Sequence, residues 1–540
     1  MDATVTGQAD LLTAGRAALG RAAWSEARAL FEEAAAAGGA AEAWEGFSRA
    51  AWWLGDQEAT FSARERAYRV YREGGDACGA ARMATWLASD HLDFCGDEAL
   101  ASAWLRRGRA LLRDHGPCAE WGFLTVLEAD IAFLAQGDLA TARRLASEAL
   151  DLARDIADAG VEVVALAVLG SALIASGSIE EGLGLLDESA ALAVGEDFSE
   201  TAAPGWALCH TVSACAGVGD FGRAAQWCRA MHKWSATWRA RHFFGVCRTA
   251  YGEVLATGGD WRSAEQELLD AMEDLRTTRP ALAAPTAVRL GRLRARQGDL
   301  AEARALFEAA LPLPQAILAL GDLELAGGDA TAAADAADRV LRRLGDASVL
   351  DRLPALELLA RAKAAAGDND GAAAATDQVE RQAARLATPY MRGRGRLVRA
   401  HVLLAARDHD GARRAGEDAA DLFTACSAPY EAAQARVVQA EALAALGRPE
   451  RAEAEAAAAR DTLALLGASG LRRTAKSGEL SPREIDILRL VAQGHNDARI
   501  AQRLFLSTHT VHRHIANIRT KLGVPSRAAA VASATRDGLL

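Results

Sequence analysis

A two-residue step, most often Gly-Asp, recurs along this chain about every forty residues, and that regularity constrains the fold more than any other feature. The second residues of the steps are Asp56, Asp97, Asp138, Ser178, Asp220, Asp260, Asp299, Asp329, Asp368, Asp408 and Arg448. Successive positions lie 39 to 42 residues apart, except for the 30 residues from Asp299 to Asp329. In most units an alanine follows four residues later: Ala101, Ala142, Ala224, Ala264, Ala303, Ala333, Ala372, Ala412 and Ala452. Each unit reads as an apolar helix, a turn, and a second helix such as DLATARRLASEALDLA. Glycine supplies the positive φ that ends the first helix, and aspartate caps the second. Alanine lets the two helices approach closely. One hairpin cannot bury its apolar stripe alone, so the hairpins are predicted to stack into a superhelix, an α-solenoid.

Composition agrees with an all-α fold. The chain has 51% apolar residues and only 12 prolines, and β-branched runs are rare. Eight cysteines are scattered singly, which argues against a disulfide scaffold and for a reducing, cytoplasmic setting. The opening MDATVTGQADLL lacks the basic-then-apolar layout of an export signal. The longest uncharged run, 163–179, is shorter than the roughly 20 residues needed to span a bilayer and is expected to be a buried helix, with no membrane partner. The net charge of −11 conceals a division: residues 470–540 carry twelve Lys/Arg against five Asp/Glu. An acidic body with a small basic tail is the electrostatic footprint of nucleic-acid binding.

The repeats resemble tetratricopeptide repeats, in the longer form of the MalT-like regions of large bacterial regulators. That resemblance implies a solenoid over 1–466 whose concave face takes an unidentified small-molecule or protein partner. All twelve tryptophans precede residue 262, so a ligand pocket is expected in the N-terminal half. Segment 206–247 is rich in Cys, His and Trp; Cys228 and His232 are four apart, with Cys209, His210 and Cys215 on the preceding helix. Their spacing fits no standard zinc pattern, and they are read as packing positions, with no metal and no cofactor. Residues 467–479 read as a flexible linker. Within it, GLRRTAKS nearly spells a phosphate-binding loop, but Ala475 replaces the second glycine and no strand precedes it. Neither an ATPase nor a receiver domain is expected, and the chain is not expected to be an enzyme.

Residues 480–540 carry dense local signals. Ser481 and Glu484 form a capping box, Pro482 opens the helix, and Leu480 staples onto Ile485. Ile485, Leu488 and Val491 make its buried stripe, and Gly494 stops it. Asn496 then caps DARIAQRLF, which buries Ile500, Ala501 and Leu504; Leu506 closes the turn and Ser507 caps the next helix. That helix, THTVHRHIANIRTKL, places Val511, Ile515, Ile518 and Leu522 on one stripe and His509, His512, Arg513, Ala516 and Thr520 outward. His514 falls near the edge of the stripe, so the three histidines cannot converge on one ion. A short scaffold helix, a tight turn at about 497–516 and a basic outward face make a helix-turn-helix. Gly523 and Pro525 end the helix, and Ser526 starts a fourth, RAAAVASAT.

The motifs LSPRE, LRLVAQG, IAQRLFLS, TVHRHIANIRTKLGV and SRAAAV, in this order, resemble the DNA-binding domain of LuxR/FixJ/NarL-type transcription regulators. The resemblance implies a small four-helix domain that binds double-stranded DNA. It puts base reading at His512, Arg513 and Ala516, and phosphate contacts at Thr508, Thr510 and Lys521, with Arg519 and His514 as further contacts or, for His514, a brace. Arg513 is the expected guanine reader. A homodimer pairing through the last helix, at Ala528, Val531 and Ala532, is also implied. The chain is thus expected to be a cytoplasmic, nucleoid-binding regulator whose body senses an effector or partner. The alternative is an interaction scaffold for which DNA binding is secondary.

Overall fold

A computed structural model describes residues 3–195, 198, 202–238, 244–344, 348–468, 480, 482–504, 508–536 and 539. Among these residues there are 28 α-helices and no strand, from Ala3–Gly20 to Arg527–Arg536. Through Pro449–Leu466 the helices run as antiparallel neighbours, each packed on the next, and the body is an α-solenoid of helical hairpins.

The turns follow the repeat. Asp56, Asp97, Asp138, Asp260, Asp299, Asp368 and Asp408 each accept a hydrogen bond from a backbone N–H three residues on, as Asp299 Oδ1 does from Glu302 at 2.9 Å. Arg448 sits at the equivalent place and makes no such side-chain bond. The residue before each cap is left-handed: Gly298 has φ 92°, and Arg407 adopts φ 64° where the register has no glycine. The step therefore follows backbone geometry, and one unit accepts an arginine in a conformation that disfavours a Cβ. The alanines four residues after the caps are where the helices touch: eight of the nine are fully buried, and Ala452 is 8% exposed. The 30-residue interval has a simple cause. It holds the shortest pair of the body, Leu300–Ala309 and Pro314–Ala326.

The apolar run that raises the membrane question lies in the helix Ala159–Ser176. It has a mean hydropathy of 2.0 and is 78% buried, making it a core helix of the array. Distant hairpins also meet. Trp24 Nε1 donates to the Trp238 carbonyl at 3.1 Å, Arg385 to the Ser176 carbonyl at 3.0 Å, Thr388 to the Val218 carbonyl at 2.6 Å, and Arg296 to Glu431 at 2.7 Å. These pairs are 135 to 214 residues apart, so successive turns of the superhelix are fastened to one another.

Cys209, read from the sequence as a packing position, is instead a bridged residue. Cys209 and Cys247 are joined in a disulfide, with Cα atoms 5.4 Å apart. Their separation of 38 residues is close to one repeat, so stacking of successive hairpins brings them side by side.

Candidate nucleic-acid interface

Four helices, Pro482–Ala492, Asp497–Leu504, Thr508–Leu522 and Arg527–Arg536, close a small core after the repeats. Leu480, Ile487, Leu488, Val491, Ile500, Ala501, Val511, Ile518, Ala530 and Ala534 are buried together, with Ile485, Leu504, Ile515 and Leu522 packed around them. Ile487, absent from the expected stripe, is fully buried, while Ile485 is only half so. Asn496 Oδ1 accepts from the Arg499 amide at 3.0 Å, and Ser526 Oγ from the Ala529 amide at 3.1 Å, so both expected caps form. Ser481, Leu506 and Ser507, expected to cap or close turns, lie outside the described residues.

The buried stripe of Thr508–Leu522 faces the other three helices, which leaves the opposite face outward. Thr508, His512 and Ala516 are exposed there. The side chains of Thr510 and Arg513 lie outside the described residues, as do those of His509 and Thr520. Of the two places expected for His514, its 6% exposure suits that of a brace. His512 Nε2 lies 2.6 Å from Asp497 Oδ2, and Arg527 Nη1 holds the other oxygen of Asp497 at 2.8 Å. Arg527 Nη2 also donates to the His495 carbonyl at 3.0 Å. Asp497 thus ties the start of the second helix to both the third and the fourth. Arg519 is exposed and donates to the Pro525 carbonyl at 2.6 Å, bracing the turn after Leu522.

Lys521, expected at a phosphate, instead holds the buried carboxylate of Glu484 at 2.8 Å, across the domain from the first helix. The capping role expected of Glu484 accounts for none of this. An Lys521→Met chain should lose about 2 kcal/mol in the C-terminal domain, because a carboxylate 4% exposed loses its cation. Hydrogen exchange over the four helices measures it. If Lys521 served phosphate alone, exchange would not change and the salt slope of DNA binding would fall by about one.

The Cys, His and Trp of 206–247 do not converge. Cys209 is in the disulfide, Cys215 and Cys228 are buried in separate clusters, and His232 meets Tyr251 edge-on at 5.1 Å. His210 is buried, with Nε2 3.0 Å from Asp130 and Nδ1 3.1 Å from Ser171 Oγ. The N-terminal half does hold a cavity of about 430 Å³, but among the first hairpins, lined by Glu45, Arg49, Tyr71, Arg82, Trp86 and Glu120. Arg82 grips both oxygens of Glu45, at 2.7 and 2.8 Å, and reaches Glu120 at 2.6 Å. Burial opposes the Glu45 charge, yet the Arg82 fork outweighs it and holds that carboxyl below its usual range.

Fold and interface together define a helical-repeat protein ending in a helix-turn-helix domain. Residues 478–534 match the family described as bacterial regulatory proteins, luxR family, and this C-terminal domain is a LuxR-family helix-turn-helix. The HTH-type transcriptional regulator Rv0890c of Mycobacterium tuberculosis is 46% identical over 61 residues, which is 11% of this chain and 7% of that protein. The oxygen regulatory protein NreC of Staphylococcus aureus is 44% identical over 61 residues, 11% of this chain and 28% of its own. The chain therefore matches less than a third of the length of each of these relatives. Among solved structures, a Rap protein complexed with competence and sporulation factor aligns over 73% of this chain and 100% of its own, at 13% identity and TM-score 0.40. The apo quorum sensor NprR of B. thuringiensis aligns over 63% and 97%, at 12% identity and TM-score 0.39.

Proposed function

We propose that this chain is a transcription regulator that binds double-stranded DNA through the outward face of Thr508–Leu522, under the control of an effector or protein partner held by the helical body. One observation supports this most: a helix whose apolar stripe is fully committed to the domain core while Thr508, His512 and Ala516 stay exposed. Such a face, preceded by the scaffold helix Asp497–Leu504, is what enters a major groove. The contact set is Thr508, Thr510, His512, Arg513 and Ala516, with Arg519 at its end. The exposed Ala528 and Ala532 of the last helix suit pairing of two copies on DNA. The cytoplasm, with its nucleoid, is the compartment this activity needs. The cavity among the first hairpins, with its charged and aromatic lining, is the place for the effector.

The test is retention of duplex DNA by the full chain in a gel-shift titration. Affinity should fall linearly in log–log form with salt, by about 0.9 per phosphate contact. Failure to retain any genomic fragment at low salt, by a folded chain, would remove the proposal.

A further inference from the structure

We infer that Cys78, His115 and Cys118 form a site for a thiophilic divalent cation of the zinc class, with three protein ligands and a fourth position open to water. Each of the three offers one ligand atom, and these atoms all lie within 4.8 Å of one another. His115 Nε2 is 3.3 Å from Cys78 Sγ. A tetrahedral zinc ion, with Zn–S about 2.3 Å and Zn–N about 2.0 Å, requires S···N separations near 3.5 Å and S···S near 3.8 Å. Cys78 Sγ and His115 Nε2 already stand at about that S···N separation, and Cys118 Sγ lies within 4.8 Å of both.

The imidazole is oriented for the task. His115 Nδ1 lies 3.3 Å from the Gly116 carbonyl, and with Nδ1 as the donor the Nε2 lone pair is left facing Cys78. A carbonyl behind a ligating histidine is the usual device for setting its tautomer. The thiols are placed by secondary structure. Cys78 is the second residue of the helix Ala77–Asp90, and Cys118 is the N-cap of Ala119–Leu134, so both are held at the starts of packed helices. His115 and Cys118 make an H-x-x-C chelate in the turn between hairpins. The repeat brings Cys78 to them, 37 residues before His115. His115 is exposed and the two cysteines are half-buried, which leaves the ion a route from solvent.

The site adjoins the cavity wall. Asp76, Ala119 and Glu120 line the cavity, two residues or fewer from the ligands, and Glu120 is bound by the Arg82 that grips Glu45. An ion here cross-links two successive hairpins beside that wall. The inference stands apart from the nucleic-acid reading.

Co²⁺ titration of the reduced, metal-stripped, tag-free full chain tests it. One equivalent per chain should produce sulfur-to-cobalt charge transfer and the visible bands of a tetrahedral site, and Zn²⁺ should abolish them. Cys118→Ser and His115→Ala should each weaken Co²⁺ binding by ten-fold or more, with unchanged helical circular dichroism. Cys95→Ser, at an exposed cysteine outside the cluster, should leave it unchanged. No thiolate-cobalt band in the parent chain, or a band of equal strength in both ligand variants, overturns the site. So does a reduced chain that binds no cobalt and reoxidises to a Cys78–Cys118 disulfide.

Discussion

An Arg64→Met chain should lose about 3–5 kcal/mol from the N-terminal hairpins. Arg64 Nη1 lies 2.9 Å from Asp90 Oδ2, with the two side chains 4% and 1% exposed. Burial pushes the Asp90 carboxyl up to about 7, against the pull of Arg64. Without the guanidinium the carboxylate keeps its desolvation and loses its chief counter-charge. Double replacement, Arg64→Met with Asp90→Leu, should recover most of the loss, since neither charge of the pair then remains to be buried.

The pH dependence has a definite sign. The folded-state value lies above the ordinary 3.8, so between 3.8 and about 7 the folded chain holds a proton the unfolded chain has released. Stability falls as pH rises through that window. Removing Arg64 raises the folded value further and extends the window upward. The variant should therefore be weakest near pH 8 and recover toward pH 5. Hydrogen exchange in Ala77–Asp90 at both pH values measures this, because neighbouring hairpins can open separately. An equal deficit at both would assign the loss to packing of Arg64 over the Trp86 ring, 5.3 Å away.

On DNA the largest effect is expected at position 513. Arg513→Ala should weaken binding to a selected operator about 5- to 150-fold, the roughly 1–3 kcal/mol of one bidentate guanine contact. Binding to scrambled duplex should hardly change, so the ratio of the two affinities collapses. Position 513 follows exposed His512 and precedes exposed Ala516 by one helical turn, on the same outward arc. Competition titrations against both duplexes decide it: unchanged selectivity would take base reading away from Arg513.

Much of the architecture was legible because the signals are local and repeated. A cap, a left-handed residue and a buried alanine recur in most units, so errors in one are corrected by the next. Arg407 escaped because the register asks for a backbone conformation and only statistically for glycine. The core of the C-terminal domain was readable from its 3.6-residue period, with Ile487 missed because it flanks the stripe. Polar partners were not readable. Lys521 and Glu484 are 37 residues apart, and only the packed domain reveals that a lysine on the expected DNA face belongs to a buried carboxylate. The cysteines teach the same lesson. The thiols that meet, Cys209 with Cys247 and Cys78 with Cys118, are set apart by about one repeat, a separation that short-range spacing does not reveal.

The fastening of distant hairpins bears on how such a body can respond. An open spring stretches by small increments, each hairpin yielding a little, and transmits almost nothing from one end to the other. A coil stitched at Trp24–Trp238, Ser176–Arg385, Val218–Thr388 and Arg296–Glu431 resists until several stitches part together. For the regulator proposed above, the expected answer to an effector is then a snap between two shapes, a sharper message for the tail than gradual flexing would deliver.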